Sequence, residues 1–328
     1  MPASSKKHYF CTLFDSGYLA KGVAMINSLK SNCSNSYIYV LCMDSFVQRM
    51  LEELFPEDVK CIPLVDIETP ELIIAKSTRG TGEYCWTLSP CLPWYVLQTF
   101  PEVDLITYLD ADLFFYSTLQ PIFDEIGNSS IAIIEHRFTP RLIGREVNGR
   151  FCVEWVSIRR NEEGLKCLSL WRDQCIEWCF YRLEADRMGD QKYLDKWPEL
   201  YPSCHIIQHL GAGVAPWNYA QYKFELDQNS NIFVDGYKLI FYHFHQLQML
   251  KNGGFNRLSS FYTSEQPVPD MVYLRYEEKL TKVLSELRKM HPFFDAGLKS
   301  SLSVNARRLV QKYLPRWMRQ LAHKFLGH

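Results

Sequence analysis

Several protein classes can be set aside from what this chain lacks. Its 11 cysteines form no C-x-x-C pair and are odd in number. The sequence therefore offers neither a zinc ribbon nor a disulfide frame, and it reads as a reduced, cytoplasmic protein. Lys and Arg number 36 against 37 Asp and Glu, with the signs mixed along the chain; a nucleic-acid partner would call for a basic excess. No apolar run is long enough to cross a bilayer, and Met1 to Lys7 is polar, without a secretory core. There is no internal repeat, low-complexity stretch or clear linker. What remains is a 328-residue chain able to bury a full core. Its aromatic content of 14% suits sugar or base stacking and, equally, large aromatic cores.

The first hundred residues alternate strand and helix. His8–Phe14, Tyr37–Met43 and Val59–Leu64 have strand character, and Leu19–Leu29 and Phe46–Leu54 helical spacing. A helix from about Pro93 to Phe100 leads into the apolar run Leu105–Leu109. This order predicts βαβ units, a parallel sheet, and ligands gathered at the carboxyl ends of its strands. Further on, Ser130–Ile134 and Phe151–Ile158 are strand-like, and Glu162–Arg182 is an amphipathic helix. Ile232–Val234 and Tyr237–His243 flank an Asp-Gly turn and predict a hairpin. Tyr276–Met290 and Asn305–Phe325 read as helices, with Pro315 a break.

Asp110 and Asp112 stand two residues apart between apolar runs. Ionised carboxylates in such surroundings need a counter-charge, because uncompensated burial costs several kcal/mol or more. A divalent cation that also carries phosphates is the usual solution. In Tyr242-His243-Phe244-His245 strand alternation puts both histidines on one face. One imidazole beside two carboxylates makes a mixed N/O set suited to Mn²⁺, with Mg²⁺ as the alternative. His243 is the preferred ligand and His245 the substitute. The plainer readings are a salt-bridged Asp110, a turn role for Asp112 and half-buried strand histidines. Gly189-Asp190-Gln191 fits helix initiation as well as a site, and Asp15 or Ser16 could equally cap the first helix.

A pair of aspartates after an apolar strand also suggests a haloacid-dehalogenase-type phosphatase, with Gly189-Asp190 and Asp195 as its acidic motif. Against it, the pair lies behind a complete βαβαβ unit, and Gly189-Asp190 lacks a preceding apolar strand.

Together these residues resemble a GT-A fold glycosyltransferase, and within that fold the family 8-like retaining group of glycogenin and the bacterial lipopolysaccharide galactosyltransferases. Tyr108-Leu109-Asp110-Ala111-Asp112 matches its YLDxD element, Asp15 and Tyr18 its uracil-contacting pair, Asp190-Gln191 its acceptor-side DQ pair, and His243 its third metal ligand. The resemblance spans residues 8 to 255. It implies a Rossmann-like, mostly parallel α/β sheet flanked by helices, a catalytic domain over 1–260 and a C-terminal helical extension over 261–328. It also implies transfer of a hexose from a UDP-sugar to a glycan or lipid-linked acceptor, such as a bacterial surface glycan. Asp110, Asp112 and His243 would hold Mn²⁺; Thr12, Asp15, Tyr18 and Ala111 would bind the nucleotide. Gln191 and Asp190 would act at the sugar. The group's Lys-Pro-Trp is missing, leaving Arg79 or Lys251 to meet the diphosphate. Cys152 and Glu154 stand where the group has an Asn-x-Gly strand that contacts the sugar, so a non-catalytic binding protein on the same fold is the alternative. The basic, aromatic segment 305–328 would either pack on the domain or rest on the inner face of a membrane.

Overall fold

The computed structural model describes residues 7–262, 264 and 266–300. Strand β1 (His8–Phe14), helix α1 (Leu19–Asn32), β2 (Ser36–Cys42), α2 (Ser45–Leu54) and β3 (Val59–Pro63) form the first βαβαβ unit. Helices α3 (Pro70–Thr78) and α4 (Thr81–Thr99) follow, then β4 (Leu105–Leu109), a short β5 (Leu113–Phe115), α5 (Gln120–Ile126) and β6 (Ile131–Glu135). After β7 (Phe151–Arg159) and α6 (Glu162–Glu177) come α7 (Trp197–Leu200) and β8 (Cys204–Ile206). Small strands β9 (Phe224–Leu226), β10 (Ile232–Val234), β11 (Tyr237–Lys238), β12 (Phe241–His243), β13 (Gln248–Met249) and β14 (Phe255–Asn256) precede α8 (Asp270–Met290).

The central sheet has seven strands in the order β3-β2-β1-β4-β7-β6-β8. β1, β2, β3 and β4 run parallel, β7 is antiparallel to both β4 and β6, and β8 pairs parallel to β6. Strand order runs outward from β1 to β3, then returns to place β4 on the other side of β1. That reversal opens a crevice beyond the carboxyl ends of β1 and β4, where Asp15 and Asp110 lie. Alternating side chains of β1 feed two cores, Phe10 and Phe14 on one face and Cys11 and Leu13 on the other. α1 and α8 cover the first face; α4 and α6 cover the second. In α8, Val272, Tyr276, Leu280, Val283 and Leu287 are all buried, the spacing of one helical face.

Four expected elements come out differently, and one of them, α8, starts at Asp270 rather than Tyr276. α4 is a 19-residue helix holding Pro90 and Pro93 inside it, where a start at about Pro93 was expected. Both prolines are buried, so packing against the sheet and α6 outweighs their helix-breaking cost. α6 stops at Glu177, not Arg182. The hairpin forms at Asp235 and Gly236, both at positive φ, but its second strand ends at Lys238. β12 then leaves the hairpin to pair with β5, matching His243 to Leu113. Asn305–Phe325 lies outside the described residues. Among the described residues, no helix is long and apolar enough to cross a membrane.

Candidate functional site

The pairing of β12 with β5 brings the two halves of the candidate metal set together. Nε2 of His243 lies 3.0 Å from Asp112 Oδ1 and 3.8 Å from Asp110 Oδ2. His243 and Asp112 are almost wholly buried, while the Asp110 carboxyl is 31% exposed and opens on the crevice. Asp112, His243 and His245 offer ligand atoms within 4.8 Å of one another.

Electrostatics differ sharply across this cluster. Burial would raise the Asp112 pKa, but His243 and Lys21 outweigh it and hold the carboxyl well below its usual range. Burial, helped by Asp112 and Glu154 and opposed by His243, pushes Asp110 up to about 7. Burial would lower His243, yet Asp112 and its other hydrogen-bond partners raise it well above an ordinary imidazole. Burial and the neighbouring His243 take His245 down to about 3. Asp112 and His243 make the short contact, and His245 also has a ligand nitrogen within 4.8 Å of both.

Asp15 accepts the Tyr18 N–H at 3.1 Å, so part of its carboxylate serves the turn into α1. Tyr18 is 43% exposed, and Lys21 Nζ sits 4.4 Å from its ring centroid and 3.7 Å from Asp112 Oδ2. Ala111 is small and nearly buried between the two aspartates. Thr12 is fully buried within β1, its hydroxyl without a partner among the described residues.

The cations proposed for the diphosphate are also placed elsewhere. Arg79 donates to Thr87 Oγ1 and to the carbonyls of Cys175 and Ile176, closing the end of α6. Lys251 pairs at 2.7 Å with the exposed Asp295. The segment after α8 sets Lys299 against the 249–251 backbone, where the Lys251 N–H donates to the Lys299 carbonyl at 3.0 Å. Gly297, at φ +77°, packs so closely on Gly17 that an added Cβ would lie 2.0 Å from its carbonyl oxygen. The Lys299 N–H donates to the Met249 carbonyl at 2.8 Å, and the Lys299 charge acts on Lys21. Lys21 itself is lowered by burial, partly offset by Asp112.

Asp190 is nearly buried: burial first, then the charge of Asp110, raises it to about 7 against a Ser89 hydrogen bond. It precedes the 3₁₀ turn Gln191–Lys196 without capping it. Gln191 donates to the Asn148 carbonyl at 3.0 Å and closely approaches Gly149. Beside them Trp86 touches Gly189 and tilts against Tyr181, ring centroids 5.9 Å apart. Tyr181 is 68% exposed. Trp217 packs edge-on to His243 and His245, at 5.2 and 5.7 Å.

Lys21, Lys299, Trp86 and Trp217 lie outside the site residues expected from the sequence, and Glu154, at the position of a sugar-contacting strand in the resemblance, pairs with His243. For Glu154 a signal existed, since it is the one acid in the otherwise apolar run Phe151–Ile158. Lys21 sits three residues past Tyr18 at the start of a helix, on one face. Nothing local marks Lys299. A separate cavity of about 650 Å³ opens at the opposite end of the sheet, lined by residues such as Tyr9, Asn32 and Thr107, and holds none of these groups.

No protein-family model matches the chain. YfnD of Bacillus subtilis (strain 168), an uncharacterized protein, is 32% identical over 292 residues, 88% of this chain and 94% of YfnD. YfnF of the same organism is 30% identical over 293 residues, 87% of this chain and 96% of YfnF. Among solved structures, the galactosyltransferase LgtC, in complex with donor and acceptor sugar analogs, aligns with TM-score 0.51 at 12% identity, over 85% of this chain and 95% of LgtC. The glycosyltransferase GlyE of Streptococcus pneumoniae TIGR4 aligns at 0.50 and 16% identity, over 86% of this chain and 64% of GlyE. This chain belongs to the same family as YfnD and YfnF, and its fold is the GT-A fold of glycosyltransferases.

Proposed function

We propose that the protein is a metal-dependent glycosyltransferase that moves a hexose from a UDP-sugar to a glycan or lipid-linked acceptor with retention of configuration. The observation that carries this reading is the meeting of Asp110, Asp112 and His243 at the carboxyl-end crevice of a GT-A sheet. Carboxylate oxygens and one imidazole nitrogen form a donor set that fits Mn²⁺, or Mg²⁺. Asp112 and His243 would hold the ion, with Asp110 joining them or turning to the ribose. Bound there, the ion would supply positive charge at the diphosphate leaving group.

The chain's own groups account for the rest of donor binding. Asp15 has a free carboxylate edge for a uracil imide proton, and the exposed face of Tyr18 can stack on the base. Lys21 and Lys299 replace Arg79 and Lys251 as the cations for phosphate oxygens. Preplaced positive charge at a developing anion lowers the barrier because nothing reorganises as the bond breaks. With attack on the same face, a leaving-group oxygen can take the acceptor proton, and no strong protein base is required. Asp190 and Gln191 then bind and orient sugar hydroxyls, with Trp86 and Tyr181 as an aromatic surface for the acceptor ring. The segment 305–328, outside the described residues, is the proposed membrane contact for a lipid-linked acceptor, measurable by liposome co-sedimentation with and without it.

The test is release of UDP from UDP-Glc, UDP-Gal, UDP-GlcNAc and UDP-GalNAc with Mn²⁺. Turnover of one donor that stops on chelation supports the reading. Unchanged turnover under chelator removes the metal. A Mn²⁺-dependent thermal shift with UDP, but no UDP release from any donor, would leave a nucleotide-binding protein on the same fold.

A further inference from the structure

Strand β7 contains one acidic residue, Glu154, and it has no exposed surface. Such a carboxylate is costly unless paired. Among the described residues its ion-pair partner is His243, with Glu154 Oε2 2.6 Å from Nδ1; Glu154 Oε1 has no partner. The backbone explains the placement. Ile133 pairs with Val156 but the next residue, Ile134, pairs with Cys152, so β7 bulges at Val153–Trp155. On its other side the Asp110 N–H donates to the Glu154 carbonyl at 3.3 Å. Glu154 is thereby tied to the strand end that carries the aspartates, while its side chain reaches the far nitrogen of the ring facing them.

An ionised carboxylate only accepts hydrogen bonds, so the imidazole nitrogen against it must carry the hydrogen. The other nitrogen, Nε2, points at Asp112 and Asp110. We propose that Glu154 is a positioning residue that holds His243 in one orientation and as the Nδ1–H tautomer, presenting the Nε2 lone pair to a divalent cation beside Asp112. This rests on the metal reading above. It gives Glu154 a role behind the ligand, not at the sugar where its place in the sequence had put it. Cys152 offers its sulfur within 4.8 Å of the Glu154 and His243 ligand atoms; a cation on that side would need Nδ1 bare, the opposite tautomer.

Mn²⁺ binding to the full chain with UDP present, followed by calorimetry, tests this. Glu154→Leu should weaken Mn²⁺ by about 10- to 100-fold, the usual effect of removing such a partner. Glu154→Gln keeps an acceptor oxygen and should lose less, though more than about threefold. With Mg²⁺ bound, ¹⁵N spectra should show His243 as the Nδ1–H tautomer in the wild type. Wild-type affinity in Glu154→Leu, or in Glu154→Gln should the leucine variant not fold, overturns the proposal. So does an Nε2–H tautomer, or a Cys152→Ala loss as large as that of Glu154→Leu. Asp112→Asn separates the two levels. If it binds as tightly as wild type, the metal reading fails and this inference with it. If it loses the ion while Glu154→Leu keeps it, this inference alone fails.

Discussion

The two walls of the crevice are built by different rules. On the β1–β4 wall each group sits at or just past a strand end: Asp15 and Tyr18 after β1, Asp110 and Asp112 after β4. The opposite wall is drawn from β7, β12, the 189–191 turn and the segment after α8, and distant pairings join it. His243 is 131 residues from Asp112 and 89 from Glu154. A wall made by strand ends takes its geometry from the sheet; a wall made by side-chain pairings depends on each pairing. The first therefore resists substitution around it, whereas the second transmits damage along its contacts.

Removing a strand-end ligand should have the largest effect. Asp112→Asn is expected to lower UDP-sugar hydrolysis by about 10³-fold, the scale of losing a preorganised charge partner, with far-UV circular dichroism unchanged; a loss below tenfold would put the cation elsewhere. Next comes an acid sensitivity at His136, which follows β6 and packs edge-on to Trp217 with ring centroids 5.1 Å apart. His136 is nearly buried, donates Nδ1–H to the Arg150 carbonyl, and burial lowers it to about 4. Below pH 6.5 the unfolded chain takes up a proton that the folded chain refuses until about 4. The His136 contribution to stability should thus fall across that window by about 3 kcal/mol and then level off, while Asp110 and Asp190, raised by burial, contribute in the opposite direction. Denaturant titrations of His136→Gln should show a shallower slope there; an unchanged slope would assign the acid loss to other groups.

Lys299→Ala should raise the donor KM by about tenfold, as expected for one charge-assisted contact. Arg79→Ala should leave that KM alone while lowering the thermal midpoint; equal KM effects would erase the distinction drawn between these cations. Smallest is the acceptor surface. Trp86→Ala should raise the acceptor KM a few-fold, about 1 kcal/mol of stacking, with donor hydrolysis unaffected. A matching fall in hydrolysis would instead place Trp86 at the donor.

Legibility in the sequence followed the same division. β1 was readable to the residue, and the YLDxD element stood out because ionised groups in an apolar frame are chemically conspicuous. α4 begins well before the expected Pro93, because burial of Pro90 and Pro93 under the sheet is a tertiary fact. The Tyr237–His243 run looked like one strand because periodicity does not report a change of partner after Lys238. Arg79 and Lys251 were natural candidates by charge, but charge alone does not say which carbonyls or carboxylates a cation will meet. Lys299 carried no local signal: its place depends on Gly297 docking against Gly17.

By itself the sequence determined the α/β alternation, the carboxylate pair between apolar runs, and the histidines able to complete a mixed ligand set, since periodicity and buried charge are properties of local order. The tertiary structure decided which imidazole meets the aspartates, that Glu154 stands behind it, and that the Lys251 ammonium pairs with Asp295 while the Lys299 charge acts on Lys21. Those choices depend on strand partners and close backbone approaches between segments far apart in the chain, which no local pattern of residues encodes.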